Sequence, residues 1–205
     1  VHSELLRRPG KLYVLASHFH PDHFNKEVLQ WREQRPDIIY IFSKDILRHR
    51  RAQKEDAVWL KKGEEYKDET LSVRAFGSTD VGVSFLLQAG GKKIFHAGDL
   101  NNWHWMDEST EAEWKGAEKN FLHELDDLYA YTPEVDVAMF PVDPRLGKEY
   151  MRGAGQFVTK IKTHIFVPMH FTPEYAKANA FRDFAEAHGV RFVSLTHRGQ
   201  KIEIE

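Results

Sequence analysis

Short apolar runs of strand length alternate along the chain with stretches whose apolar residues recur every three or four positions. That rhythm predicts layered α/β structure, with helices covering sheets. Residues 11–17, KLYVLAS, read as a strand that feeds directly into His18-Phe19-His20-Pro21-Asp22-His23. A short helix is predicted at 26–31, a turn at Arg35-Pro36-Asp37 and a second buried strand at 37–42. Ser43 or Asp45 opens a further helix through Ile46 and Leu47 towards Arg51. The period then changes: 71–76, 83–88 and 92–96 read as strands, the last two joined as a hairpin through Ala89-Gly90-Gly91. Thr110 and Glu113 stand at capping-box spacing before a long helix whose buried face is Trp114, Ala117, Phe121, Leu125 and Leu128. Beyond it come a strand at 135–142, a helix at 148–162 and a strand at 163–169. Thr172 and Pro173 then read as cap and first residue of a helix that Gly189 closes, before two short strands at 191–195 and 201–204. No repeat or linker interrupts the series, so residues 1–205 are expected to form a single domain.

Composition narrows the chemistry. The net charge is −2, from 29 Lys and Arg against 31 Asp and Glu, which disfavours a nucleic-acid partner held by bulk positive charge. The one basic cluster, Arg48, His49, Arg50, Arg51 and Lys54, reads as a solvated helix face. With no cysteine, thiolate metal sites, iron–sulfur clusters, disulfides and a cysteine nucleophile are all excluded. Any metal must be held by nitrogen and oxygen. Apolar runs such as 38–42 fall far short of the ~20 residues of a membrane span, and a cytoplasmic protein is expected. The 12 histidines exceed ordinary usage and call for an explanation.

His18-x-His20-x-Asp22-His23 concentrates three imidazoles and a carboxylate within six residues at the end of a strand, where His18 and His20 point the same way. These ligand types suit Zn²⁺, Fe or Mn²⁺.

This cluster resembles the first metal motif of the metallo-β-lactamase fold superfamily. Phe95-His96-Ala97-Gly98-Asp99-Leu100 is similar to the superfamily motif whose aspartate bridges two metals, and Val167-Pro168-Met169-His170 resembles the last motif, all in the expected order. Gly77-Ser78-Thr79-Asp80, Asn102-Trp103-His104-Trp105 and Pro141-Val142-Asp143-Pro144-Arg145 look closest to uncharacterised bacterial hydrolases related to the ascorbate-6-phosphate lactonase branch. The resemblance implies a four-layer αββα sandwich. It also implies that His18 and His20 bind one divalent ion, that Asp22, His23 and His170 bind a second, and that Asp99 bridges them. Zinc is the first expectation, with manganese, iron or nickel as alternatives. Two such ions about 3.5 to 4 Å apart acidify a shared water and polarise the electrophile, so no side-chain nucleophile is needed. Four neutral imidazoles leave a net positive centre that favours anionic transition states.

The chain departs from the superfamily pattern twice. The middle motif usually supplies a histidine to the first metal, whereas the corresponding stretch ends in Asp80; Asp80, or Ser78 through a water, then completes the site, or Asp80 accepts the other N–H of a ligating histidine. Only seventeen residues precede His18 where the superfamily carries further strands, so the expectation is either a processed or partial chain or a first sheet that lacks N-terminal strands.

The residues expected to act on substrate are Asp22 and His104, with Trp103 and Trp105 as pocket walls. His96 reads as a core residue or as support for a ligand. Asp143 and Arg145 read equally as substrate contacts or as a surface pair. The function expected is a metal-dependent hydrolase of a lactone, ester, amide or phosphodiester. An iron-dependent oxidoreductase on the same fold and a non-catalytic metal-binding scaffold are the alternatives. The partner is expected to be a small, anionic substrate, with no membrane, and a homo-oligomer stays open.

Overall fold

In the computed structural model, which describes residues 2–203, α1 (His2–Leu6) precedes the apolar run that becomes β1 (Tyr13–Ala16). α2 (Glu27–Gln30) leads to β2 (Ile39–Ser43), and α3 (Lys44–Arg48) to β3 (Val58–Leu60). These three strands pair in parallel in the order β1-β2-β3. β4 (Glu65–Lys67), β5 (Ser72–Phe76), β6 (Ser84–Ala89) and β7 (Lys92–His96) form an antiparallel meander. Gly90 and Gly91, both at positive φ, make the two-residue turn between β6 and β7. The chain then winds through α4 (Glu111–Tyr131), β8 (Glu134–Pro141), α5 (Arg152–Lys160), β9 (Lys162–Met169), α6 (Tyr175–Asn179), α7 (Arg182–Ala187) and β10 (Arg191–Phe192). The strands β7 to β10 are mutually parallel, and the seven-stranded sheet runs β10-β9-β8-β7-β6-β5-β4.

Three apolar layers hold the two sheets and their helices as an αββα sandwich. Ile41 and Leu60 of the small sheet meet Val73, Ala75 and Phe85 of the large one. Tyr40 and Phe42 face the other way, onto Phe24, Val28, Leu29 and Ile46. On the far side of the large sheet, Phe95, Ala138, Phe140 and Phe166 pack against Phe121 and Leu125 of α4, Phe157 of α5 and Ala185 of α7. Phe157 stacks on Phe95 at 5.5 Å and lies 4.6 Å from Phe140. Each such burial is worth about 1.5–3 kcal/mol, so this layer fixes β7, β8 and β9 relative to one another. Because these strands are parallel, their C-terminal ends share one edge, where ligands of open α/β sheets collect.

The capping box at Thr110 and Glu113 forms as the spacing predicts, and α4 buries Phe121, Leu125 and Leu128. Elsewhere the structure corrects the sequence reading. Thr172 does not cap a helix: its φ of +31° lies outside the extended backbone a cap uses, and Thr172-Pro173 form a turn before α6. Two short helices replace the single one expected, although Gly189, at φ +75°, does follow the end of α7. α5 begins at Arg152 rather than 148, because Gly147 breaks the preceding 3-10 turn, Pro144–Glu149. Three-residue strands β3 and β4 escaped notice because they are too short to display a period. Residues 201–203 are not a strand, and position 204 of that expected strand lies outside the described residues. Among the described residues no helix is long and apolar enough to cross a membrane.

Candidate metal centre

Three of the expected ligands follow strand ends. Ser17 and His18 leave β1, Asp99 follows β7 through Gly98, and His170 follows β9. Gly98 is required where it stands: at φ +55° a Cβ there would lie 2.9 Å from Ser17 Cβ and 3.0 Å from Val83 O. Gly82 passes closer still, since its Cβ would lie 2.1 Å from Ser17 O. The chain segments of the two sheets thus approach closely behind the ligands, and Val83 N donates to Ser17 O at 3.0 Å.

The ligands converge on Asp99. Its Oδ2 lies 3.3 Å from His18 Nε2, and its Oδ1 lies 3.1 Å from His23 Nε2 and 3.4 Å from His170 Nε2. His18, His20 and Asp99 bring ligand atoms within 4.8 Å of one another, and so do Asp22, His23 and His170. Asp80 stands beside the first group, its Oδ2 3.8 Å from His20 Nδ1. Ser17 Oγ is 3.0 Å from His18 Nδ1, and assigning the ring proton there leaves Nε2 with a bare lone pair. His18 Nε2 and Asp99 Oδ1 are buried without a hydrogen-bond partner. A bare imidazole lone pair and a carboxylate oxygen left unpaired in one buried cluster are costly unless a cation joins them. The donor set fits divalent metal.

Electrostatics favour the same reading. Burial, reinforced by the charge of His23, lowers the His18 pKa to about 4, so its ring stays neutral and able to ligate. Burial works to raise the Asp99 carboxyl, but His23, His18 and His170 hold it below the usual range. Burial also works to lower His170, yet its bond to Asp143 and the charges of Asp99 and Asp143 raise it overall. Asp143 itself is fully buried; burial opposes its charge, and bonds from His170 and Arg145 bring its pKa down to about 2.

Asp143 is therefore not half of a surface pair. Its Oδ2 accepts from His170 Nδ1 at 2.9 Å, which fixes the ring with Nε2 towards the cluster. Arg145 binds the same carboxylate from outside, Nε at 3.0 Å from both oxygens and Nη2 at 2.5 Å from Oδ2. Asp22 is exposed at the rim, 3.5 Å from His23 Nε2. Over the cluster lies a cleft of about 260 Å³ lined by Thr79, Asp80, Asp99, Trp103, Trp105, Arg145 and His170. Trp103 donates from Nε1 to Asp99 O at 2.8 Å and stands edge-on to His170.

His104 is the principal correction. It is buried away from the cleft, its Nε2 donates to Glu149 O at 3.1 Å, and its Nδ1 accepts from Met106 N at 3.1 Å. With both nitrogens committed to backbone groups it braces the 103–106 turn and has no free ring nitrogen to offer a substrate. His96 accepts from Gly98 N at 3.1 Å, and burial lowers its pKa to about 4. It faces a space between the sheets with Leu15, Phe85 and Ile94 rather than the ligands. Arg48, His49 and Arg50 are exposed, as a solvated face requires, though His49 stacks on Phe19 at 3.7 Å.

Sequence reasoning missed three supports. Thr79 Oγ1 bonds both N and O of Asn101, tying the Asp80 loop to the Asp99 loop. Asp45 on α3 accepts from Phe19 N at 3.0 Å and steadies the first motif. Ser17 orients His18. Of these, only Ser17 announced itself, by adjacency to the motif.

Known structures share this architecture. Igni18, a novel metallo hydrolase from Ignicoccus hospitalis, is 18% identical, with 90% of this chain and 76% of that one covered and a TM-score of 0.61. Zn(2+)-bound PqqB from Methylobacterium extorquens is 16% identical over 89% and 70% of the two chains, with a TM-score of 0.52. CmlA, a diiron β-hydroxylase from Streptomyces venezuelae, is 15% identical over 92% of this chain but 44% of its own, with a TM-score of 0.59. No curated protein is detectably similar. These likenesses concern the fold; the family follows from the sequence itself, which matches the β-lactamase superfamily domain over residues 4–171, and the chain belongs to that family.

Proposed function

We propose that this protein is a metal-dependent hydrolase with a binuclear site. One observation carries the reading: His18 Nε2 and Asp99 Oδ1 are buried and unpaired at the meeting point of two ligand groups. His18, His20 and Asp80 would hold one ion, Asp22, His23 and His170 the other, with Asp99 between them. When bound, two divalent ions supply Lewis acidity and a water acidic enough to attack near neutral pH. Zinc is the first candidate. Asp22, exposed and able to spare one carboxylate oxygen, takes up the proton that the attacking water releases. Trp103 and Trp105 narrow the cleft and reduce its water content, which strengthens the electrostatics within it.

The substrate is a small molecule, a lactone, ester, amide or phosphodiester. The wording of 77–80, 102–105 and 141–145 supports kinship with the ascorbate-6-phosphate lactonase branch. We also propose a cytoplasmic location and no nucleic-acid partner. An open cleft beside the ligands favours catalysis over a closed structural metal. Iron-dependent oxidation keeps one supporting observation: a carboxylate, Asp80, stands beside His20 where an imidazole is usual, and oxygen donors suit iron. CmlA, a diiron enzyme on this fold, makes that the second reading.

Elemental analysis of protein purified without added metal, paired with a screen of lactones, esters and phosphodiesters, tests the proposal. The wild type should carry about two divalent ions per chain and hydrolyse one class. Asp99→Ala should lose both metal and turnover, the latter by roughly 10³-fold or more, with an unchanged circular dichroism spectrum. An Asp99→Ala protein with unaltered metal content and turnover sinks the bridging role.

A further inference from the structure

The cleft carries one cationic side chain among its lining residues, and its donors are only partly used. A guanidinium has five N–H donors in a planar fork. Asp143 engages the Nε and Nη2 edge of Arg145, at 3.0 Å and 2.5 Å. His170 Nδ1 is 3.3 Å from Nη2, but it already donates to Asp143 and cannot accept from Arg145. The outer fork, both Nη1 hydrogens and the second Nη2 hydrogen, therefore has no acceptor among the described residues. Arg145 is 57% exposed, yet its orientation is fixed by a carboxylate that is wholly buried. An arginine held rigidly by one edge and open at the other is prepared for a second planar oxyanion.

We propose that Arg145 is the specificity-determining residue of this site, and that it selects a small carboxylate whose flat apolar body lies against Trp103 and Trp105. This assignment rests on the binuclear hydrolase reading, because unneutralised Asp80 and Asp99 beside the cleft would otherwise repel an anion. The two indoles lie 16° from parallel with centroids 6.4 Å apart, and the Nε1 bond to Asp99 O holds the first of them in place. Their faces supply apolar area with no flexible side chain to order. A cleft of about 260 Å³ matches the size of a single-ring acid. A carboxylate fits better than a phosphate dianion. One free fork matches the two coplanar oxygens of a carboxylate, whereas the third oxygen of a phosphate would find no further arginine or lysine among the lining residues.

The test uses the full chain loaded with two equivalents of zinc, metal content verified by elemental analysis, and phenylacetate, phenylacetamide and benzyl phosphate as probes in ligand-detected NMR titrations. Phenylacetate should bind about tenfold more tightly than phenylacetamide and no more weakly than benzyl phosphate. Arg145→Met, loaded to the same two ions per chain as the wild type and verified by elemental analysis, should lose the acid-over-amide preference, and Arg145→Lys at the same loading should retain part of it; circular dichroism reports whether each variant is folded. Equal affinity for acid and amide overturns the assignment, and so does a preference that Arg145→Met keeps, which belongs to the ions alone. Benzyl phosphate binding tenfold more tightly than phenylacetate overturns the carboxylate. Protein that takes up no metal overturns the hydrolase reading and this assignment together, whereas two bound ions without an Arg145-dependent preference overturn this assignment alone.

Discussion

The two ligand groups that meet at Asp99 are built to different standards. On one side His170 is locked from behind by Asp143, which is fully buried and itself clasped by Arg145. On the other, His20 is 36% exposed, its neighbour Asp80 is 46% exposed, and 3.8 Å separates them. Only His18, fixed by Ser17 at 3.0 Å and sealed from solvent, gives that side a rigid element. A ligand whose rotamer is already fixed loses less entropy on binding metal, so the His170 side should hold its ion more tightly. The first ion should be the exchangeable one.

Removing the support behind His170 should have the larger effect. Asp143→Ala frees the imidazole to rotate and change tautomer, and loss of such a partner weakens metal binding by about 10–100-fold. Competition against a metallochromic chelator should resolve two affinity classes in the wild type, with the tighter one weakened in Asp143→Ala. If both classes hold their affinity, the buried carboxylate does not orient a ligand.

Acid should reverse the ranking. Asp143 and Asp99 raise the His170 pKa, so a proton competes with metal there sooner than at an ordinary histidine. Burial lowers His18 to about 4, so protons leave that ring alone until far more acidic conditions. Below the His170 pKa each ion bound must displace a proton, and apparent affinity falls about tenfold per pH unit. Between pH 7 and 5.5 the tighter class should therefore weaken faster than the other. Parallel loss in both classes would mean that the two histidines titrate alike.

Much of this was legible in the chain because it is local. The first motif lies within six residues at a strand end, and the Gly98-Asp99 step and His170 also follow strands whose apolar runs are evident. What could not be read was set by distance in sequence. Asp143 reaches His170 across 27 positions, and whether its carboxylate faced inwards depended on how β8 and β9 pair. His104 looked chemical because it stands five residues after Asp99, but the chain turns at Trp105, φ +43°, and buries the ring against Glu149. Adjacency in sequence marks a ligand only while the strand that carries it still points at the site.

The smallest effect should come from Asp80, and it decides whether the first group is complete. The side chain is exposed and its carboxylate lies 3.8 Å from His20 Nδ1, beyond hydrogen-bond range, so its rotamer is not fixed as Asp143 fixes that of His170. Thr79 anchors only the backbone beside it. A flexible carboxylate contributes charge more than geometry. Asp80→Ala should therefore weaken the exchangeable class by roughly tenfold or less and leave the other untouched, while Asp80→Asn should behave almost as Ala does. Asp80→His restores the imidazole usual in the superfamily at this motif and should increase the preference of that class for zinc over iron and manganese, read by competitive loading with equal concentrations of the metals. An Asp80→Ala protein that binds both ions like the wild type would remove Asp80 from the ligand set and leave His18, His20 and Asp99 to hold the first ion alone.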